Sequence, residues 1–552
     1  MSVFLITKKA VFYLNHFIPV FILWPYLYPL FFSVCNILPT MVSITDTESY
    51  VLGTQRFPYF YVAGFILCQF LLNHNYYLMQ QTITKPNKIA SFFSVLKQAL
   101  KGREVDLTSI SIKRAIVLLA IPMMLEMAME SVFALVDLYF VGHLKNSSLA
   151  IQTVGLTESV LTVIYSLAIG LSMAATAVVA RRIGEKNPEA ASKAGMQTIV
   201  IALIINLAIS ITGFLYARDI LLIMGASAQT ADHGTNFVRI MMSGSIIIVL
   251  LFLINGIFRG AGNAAIAMRS LWIANMANII LCPIFIRGFG PIPAFGLTGA
   301  AIATTIGRSI GVSYQVYNLF NGKNILKIRL SYFIPEWQQI KSIIKIAAPG
   351  ILQFVIASCS WIFLAELVAT TGGDAGSAGY QTSLRLMMFF LLPVWGLSNA
   401  AATLVGQNLG AGHVDRAEQS VYQTIKYAVV FLAVVSVLFL TCGHLFASFF
   451  TEDDAVKKVA TLSLNILSGG FIIYGMGMVF TSAFNGAGDT WTPTKINLFT
   501  FWVFQIPFAY LLAKYFHMGP KGVFISIPVA EIGLTIGAYI LFKMGRWKKT
   551  LV

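Results

Sequence analysis

The chain has 552 residues, of which 57% are hydrophobic and only 11% charged. One soluble core cannot hide that much apolar surface, so lipid is the expected solvent. The formal net charge of +16 does not point to nucleic acid, because Lys and Arg cluster in short segments between apolar runs, where they set membrane sidedness. Cys35, Cys68, Cys282, Cys359 and Cys442 form no CxxC pair and lie mainly in apolar runs, which leaves no disulfide or zinc framework to read.

In chain order, residues 10–38 and 57–78 are each long enough to span a bilayer, although Pro19, Pro25, Pro29 and Asn73-His74-Asn75 weaken them. With Lys8 and Lys9 before and Lys85 and Lys88 after, they read either as an added hairpin with both ends inside or, if translation starts at Met79, as residues that are not made. A cleaved signal peptide fits less well, since the first run is too long and too rich in proline and aromatics. From Arg114 onward twelve spans follow, near 114–140, 152–180, 195–217, 236–257, 270–287 and 296–319, then 342–370, 379–405, 424–446, 461–484, 495–514 and 521–543. The expected fold is an all-α membrane protein. An N-terminal extension covers 1–111, a six-helix lobe 112–320, a basic linker 321–341, and a second six-helix lobe with a short basic tail 342–552.

The two lobes repeat each other. Gly170-Leu171-Ser172 returns as Gly396-Leu397-Ser398, Phe258 with Gly260-Ala261-Gly262 returns as Phe484 with Gly486-Ala487-Gly488, and Gly296 meets Gly522. All three pairs share one offset (396 − 170, 484 − 258 and 522 − 296 are equal). An even number of spans per copy makes the copies parallel repeats about an axis along the membrane normal. Duplicated helical halves are the signature of secondary transporters, whose substrate path lies where the copies face each other. With both core ends inside, 23 Lys and Arg fall in inner segments against 8 in outer ones, which puts the core termini in the cytoplasm. The glycine clusters at 260–263 and 486–489 lack the spacing and the Lys of a phosphate loop, and read as tight turns with close helix approach.

Span one carries Glu126, Glu130 and Asp137. At about 100° per residue, Glu130 sits ~40° and Asp137 ~20° around the helix from Glu126, one acidic stripe ~16 Å long. Such a stripe cannot face lipid. It is expected to line an aqueous cavity in the first lobe, or else to pair with Arg308 or Arg385, the basic residues expected to lie deep enough. Pro122 begins the stripe as a bend, either gating or passive. Met123, Met124, Met127 and Met129 flank it as adaptable apolar surface or as ordinary packing.

Three passages together resemble the multidrug and toxic compound extrusion (MATE) family over about residues 112–545. They are Pro122 with Leu135-Val136-Asp137, Gly170-Leu171-Ser172 through Arg181-Arg182-Ile183-Gly184, and Asn278 through Cys282-Pro283 followed by Gly296-Leu297-Thr298-Gly299-Ala300-Ala301. The resemblance implies a V of two lobes that opens alternately outward and inward. It also implies export of amphipathic, often cationic, organic compounds against inward flow of sodium ions or protons. In the family the span-one aspartate, matched by Asp137, acts with a span-five asparagine, matched by Asn278, and a span-six threonine, for which Thr304 is the candidate. The family's span-five aspartate is replaced here by Cys282, a thiol neutral near pH 7. A sodium site at Asp137 and Asn278 thereby loses one hard ligand, and Glu130 is the residue to replace it. The second-lobe carboxylates of one family branch fall on Ala357 and Tyr474, and Glu366 lies near the outer end. Coupling is therefore expected in the first lobe, with protons favoured over sodium because two close carboxylates hold one proton near neutrality. Glu126, Met127 and Tyr474 are the expected wall of the substrate cavity.

An intramembrane enzyme would need a polar catalytic constellation, and the seven histidines form no HExxH motif. A channel would more often show a filter-like loop. A lipid-linked oligosaccharide flippase of the same superfamily is the alternative, kept open by Arg308 and Arg385 and opposed by the acidic stripe. No cofactor is expected beyond the coupling ion. The expected setting is a bacterial inner membrane, the partners are a small-molecule substrate and the bilayer, and the chain is expected to act as a monomer.

Overall fold

The computed structural model describes residues 88–102, 105–142 and 147–550. The runs at 10–38 and 57–78, and the question of whether they are translated, lie outside the described residues. Two compact units divide the chain, Met1–Phe92 and Phe93–Val552, and the second contains the helical bundle.

In lipid the backbone must satisfy its own hydrogen bonds, and long apolar runs do so as helices. In order these are α1 (Lys88–Lys101), α2 (Ile112–Gly142), α3 (Ser147–Gly184), α4 (Pro188–Leu215), the short α5 (Ala217–Ile223), α6 (Ala228–Ser243), α7 (Ser245–Gly260), α8 (Ala264–Arg287) and α9 (Leu297–Phe320). After the linker come α10 (Trp337–Gly410), α11 (Val414–Phe450), α12 (Asp454–Ala487), α13 (Trp491–Tyr515) and α14 (Pro520–Lys543). Ten helices among the described residues are long and apolar enough to cross a membrane, with α6 and α7 counted as one. At 74 residues, α10 would be ~111 Å long if straight. It is broken at Gly373 (φ 59°, ψ −155°), a backbone conformation that suits glycine. The spans read separately at 342–370 and 379–405 are thus joined through a single glycine rather than a loop. Counting α10 as two passages and adding α9, which has the length but is diluted by Thr, Ser and Gln, gives twelve. Within α13, Leu498–Gln505 and Leu511–Tyr515 widen to π-helical turns.

The repeat is visible as geometry. Ser210 Oγ donates to the Met242 carbonyl, and at the offset of the repeat Ser436 Oγ donates to the Ser468 carbonyl (436 − 210 equals 468 − 242). A Cβ on Gly260 would press on the Thr176 backbone, and one on Gly486 on the Ala402 backbone, again at that offset (486 − 260 equals 402 − 176). The last span departs from this register. Gly296 and Gly519 are the matching helix caps (φ 56°, ψ −130° and φ 58°, ψ −142°), which brings the copies closer together in sequence by one helical turn. Gly522 accordingly matches Gly299 rather than Gly296, each sitting against the backbone of the preceding helix, at Phe285 and Leu512.

The buried side chains form two clusters, but their division differs from 112–320 and 342–552. Ala115, Ile116, Leu119, Ala120 and Met123 of α2 pack in the second-lobe cluster. Ile340, Ile343, Ile346 and Ala347 of α10 pack in the first. Each lobe's first helix therefore begins inside the other lobe.

Small residues let the lobes meet backbone to backbone. Gly170 abuts Ile351, Gly396 abuts Met123, and Gly184 and Gly410 abut Gln407 and Arg181. At the end rich in Lys and Arg, Gln407 Nε2 donates to the Gly260 carbonyl (2.9 Å) and Thr403 Oγ1 to the Arg259 carbonyl (3.3 Å). Arg181 holds the Thr550 carbonyl, and Arg416 holds the carbonyls of Leu107 and Ile110. This basic end is sealed. Ile204, Leu207, Ile211, Leu215, Phe499, Val503, Ile536 and Ile540 are exposed, the apolar surface that lipid covers. The protein is an integral membrane protein.

Because a Cβ at Gly396 meets the Met123 carbonyl rather than a pliable side chain, Gly396→Val is expected to cost at least ~1–3 kcal/mol. A thermal-unfolding series in detergent should place its midpoint well below wild type. Gly469→Ala, whose Cβ meets open space, should equal or exceed wild type.

Candidate functional site

Polar side chains on α2, α3, α7, α8 and α9 converge inside the first lobe. Glu126 is fully buried. Its Oε1 accepts from Asn255 Nδ2 at 2.9 Å and meets Arg259 Nη1 at 3.3 Å. Arg259 Nη2 also donates to Ser172 Oγ at 3.0 Å. Asn255 Oδ1 accepts from Ser270 Oγ (2.8 Å) and Gln315 Nε2 (2.6 Å), so the ion pair is braced from three further helices.

One turn along α2, Glu130 Oε2 accepts from Asn275 Nδ2 at 3.1 Å, and Oε1 lies 3.7 Å from Arg308 Nη2. The Arg308 guanidinium also lies over the rings of Phe133 (5.4 Å) and Tyr165 (5.6 Å). Further along, Asn278 Nδ2 donates to Thr304 Oγ1 at 2.9 Å, both residues buried. Asn278 Oδ1 has no hydrogen-bond partner among the described residues, and Cys282 is buried one turn beyond it on α8. Asp137 falls on α2, but its side chain lies outside the described residues. Asn278 Oδ1 and Thr304 Oγ1 are hard oxygens that suit a small cation only with a carboxylate beside them, because the Cys282 thiol is a soft donor. Pro122 is buried within α2, where it removes one helical hydrogen bond.

A cavity of about 1140 Å³, part of it continuous with solvent, lies between the lobes above the sealed end. Thr176, Arg259, Ala402 and Gly486 line its floor side. Aromatic rings of the second lobe, Phe354, Trp361, Trp395, Tyr474 and Phe501, line the rest with Met127, Met173 and Met478 and with the polar side chains of Ser172, Gln353, Asn399, Thr481, Ser482, Asn485 and Asn497. The rings of Phe354 and Trp395 are 5.7 Å apart. Glu531, on α14, completes the wall and is 5% exposed.

Several expectations change. Met127 and Tyr474 lie on the cavity wall, but Glu126 does not: it is buried behind Arg259, which reaches the cavity in its place. Of the two alternatives for the acidic stripe, pairing holds at Glu126 and Glu130: Glu126 is buried against Arg259, and the partly exposed Glu130 lies beside Arg308. Arg259, counted from the sequence among inner-segment charges, is 7% exposed inside α7, because that helix runs past the boundary read at 257. Arg385, expected to lie deep, is exposed. Glu531 does not figure among the residues read from the sequence. Its signal is a lone carboxylate among the apolar residues of span twelve, which carries the same physical weight as the acidic residues of span one.

The sequence profile of the MatE family matches residues 122–284 and 349–511, two successive copies that together make up more than half the chain. The chain is similar to the probable multidrug resistance protein NorM of Thermotoga maritima, 24% identical over 462 residues covering 83% of this chain and 97% of NorM. It is similar to the multidrug export protein MepA of Staphylococcus aureus, 23% identical over 440 residues covering 79% of this chain and 95% of MepA. Among solved structures it resembles an outward-facing multidrug resistance MATE family transporter of the MOP superfamily, with TM-score 0.76 and 30% identity, covering 82% of this chain and 99% of the other.

Removing one member of a buried ion pair leaves the other uncompensated, at a cost of ~3–5 kcal/mol. Arg259→Met should therefore lower thermal stability sharply. The double substitution Glu126→Gln with Arg259→Met should recover much of that loss, which a double-mutant cycle of unfolding midpoints would measure.

Proposed function

The chain belongs to the MatE family, the multidrug and toxic compound extrusion transporters, and on that premise we propose that it exports amphipathic, often cationic, organic compounds by antiport with protons or sodium ions through alternating access. The observation that carries this reading is the cavity shared by both lobes, whose walls set aromatic rings and thioethers among amides and hydroxyls. Such walls accept varied apolar bodies, and aromatic faces favour cations.

The membrane is a bacterial inner membrane, with the core termini cytoplasmic. The sealed basic end then faces the cytoplasm, and the cavity would release substrate outward. Small-residue contacts between lobes leave room for one lobe to rock against the other. Coupling is assigned to the first lobe. Asp137 with Asn278 and Thr304 takes up the ion, and Glu130 supplies the carboxylate that Cys282 lacks. Protons are favoured over sodium. When Glu130 binds a proton it no longer attracts Arg308, so Arg308 is left to its other neighbours. That change in one ion pair would bias the packing of α2 against α9. Pro122 lies in the inner stretch of α2 that packs in the other lobe, where a change of bend would be felt by both.

The flippase reading requires a cationic cavity. Arg259 is the basic residue on the wall, and its charge is matched by Glu126. Arg308 is spent on Glu130 and lies off the wall. The charge balance supports export of cations over binding of a pyrophosphate.

The test is export of a fluorescent cationic dye from proteoliposomes under a proton gradient alone or a sodium gradient alone. Wild type should respond to the proton gradient, and Asp137→Asn and Glu130→Gln should each lose at least about tenfold in initial rate. Export driven only by sodium, or a silent Glu130→Gln, would reject the two-carboxylate proton site.

A further inference from the structure

The two lobes occupy equivalent positions with different chemistry. In the register of span one, Glu126 matches Gln353 and Glu130 matches Ala357 (353 − 126 and 357 − 130 both equal 349 − 122, the starts of the two family copies). In the register of Gly260 and Gly486, Arg259 matches Asn485. In the register of the caps Gly296 and Gly519, Arg308 matches Glu531 (531 − 308 equals 519 − 296). In the first lobe Glu126 and Glu130 each have an arginine. In the second, the buried ion pair becomes two amides. The Glu130–Arg308 pair becomes alanine opposite a carboxylate. Glu531 is 5% exposed, accepts no hydrogen bond and meets no basic side chain among the described residues, yet it lines the cavity.

The ionisable groups on the cavity wall are Arg259, Tyr474 and Glu531. Arg259 is neutralised by Glu126 and held by Ser172. Tyr474, on α12, shares with Glu531 a smaller recess of about 210 Å³ whose other walls are Met387, Leu467, Gly470, Phe471, Ile527 and Pro528, none of them ionisable. Among the described residues, then, no protein charge balances Glu531. A carboxylate this little exposed, with no counter-charge in its wall, is stabilised when a proton or a cation neutralises it.

We propose that Glu531 is the binding site for the positive group of the exported compound, in the second lobe, and that a proton and an organic cation occupy it in turn. Glu531 as carboxylate holds the cation, and the rings of Trp361, Trp395 and Tyr474 cover its apolar body. When Glu531 takes a proton, it has no charge left for the cation, which leaves. One proton is bound for each positive charge released, so the exchange at this group conserves charge. The assignment rests on the export reading above but is independent of where in the first lobe coupling occurs. It differs from the expectation that coupling chemistry is confined to that lobe.

The probe is tetraphenylphosphonium, a monovalent organic cation without hydrogen-bond donors, added to the purified full chain in nanodiscs and followed by calorimetry across mildly acidic to mildly alkaline pH. Wild type should bind more weakly as pH falls and, at the acidic end, release one proton per cation bound. Glu531→Gln should bind about tenfold more weakly at the alkaline end and lose the pH dependence, and Glu531→Asp should keep both. In unmutated protein, dicyclohexylcarbodiimide should label Glu531, and tetraphenylphosphonium should protect it, a readout immune to misfolding of the variants. If Glu531→Gln keeps the pH dependence, or labelling is not protected, the site is overturned. Export of the probe by wild-type proteoliposomes would then leave the transport reading standing. If wild type neither binds nor exports the probe, both fall.

Discussion

Where Arg259 of α7 reaches Glu126 of α2 at 3.3 Å, a fully buried carboxylate is held against a guanidinium that shows only its edge to the cavity, and the first lobe is organised around their mutual neutralisation. Asn255 and Ser172 bond the pair directly and Ser270 and Gln315 hold Asn255 in turn, which binds α2, α3, α7, α8 and α9 together. In lipid there is little hydrophobic force between helices. A braced ion pair and close small-residue packing hold the lobe where a soluble protein would rely on apolar burial. The pair also decides what the cavity offers a ligand: an arginine on the wall whose charge is already matched.

Duplication made the two lobes alike, and divergence at four matched positions made them different. The first lobe pairs Glu126 with Arg259 and Glu130 with Arg308. The second replaces one pair by amides and leaves Glu531 without a counter-charge among the described residues. A symmetric pair of ion-paired lobes would enclose a cavity with no electrostatic preference. Broken symmetry gives it one.

The crossing of α2 and α10, each starting in the core of the opposite lobe, ties the lobes at the basic end and leaves them separate around the cavity. Gly170 and Gly396 sit where those same helices meet their partners backbone to backbone. Such contacts transmit displacement without side chains that would have to repack. Any opening of the basic end must part Gln407 from Gly260 and Thr403 from Arg259, contacts adjacent to the cavity floor.

Much of the fold was legible in the sequence because lipid imposes it: apolar runs of spanning length must be helices, and the Gly170/Gly396 and Gly260/Gly486 pairs reveal the repeat at a fixed offset. The pairing of Asn278 with Thr304 follows from the family resemblance, and Met127 and Tyr474 fall on the cavity wall. The partners of the charges were not legible. Periodicity places Glu126 and Glu130 on one face of α2, but it cannot say whether that face meets water or Arg259 and Arg308, since the answer lies on helices far along the chain. The shorter offset of the last span, set by the caps at Gly296 and Gly519, hid the match between Arg308 and Glu531. Sequence alone determined that the chain is a bundle of apolar helices and that its two halves repeat, because those properties belong to each segment and its solvent. Which carboxylate is paired and which is left facing the cavity was decided only by tertiary structure, because neutralisation is a property of the neighbour.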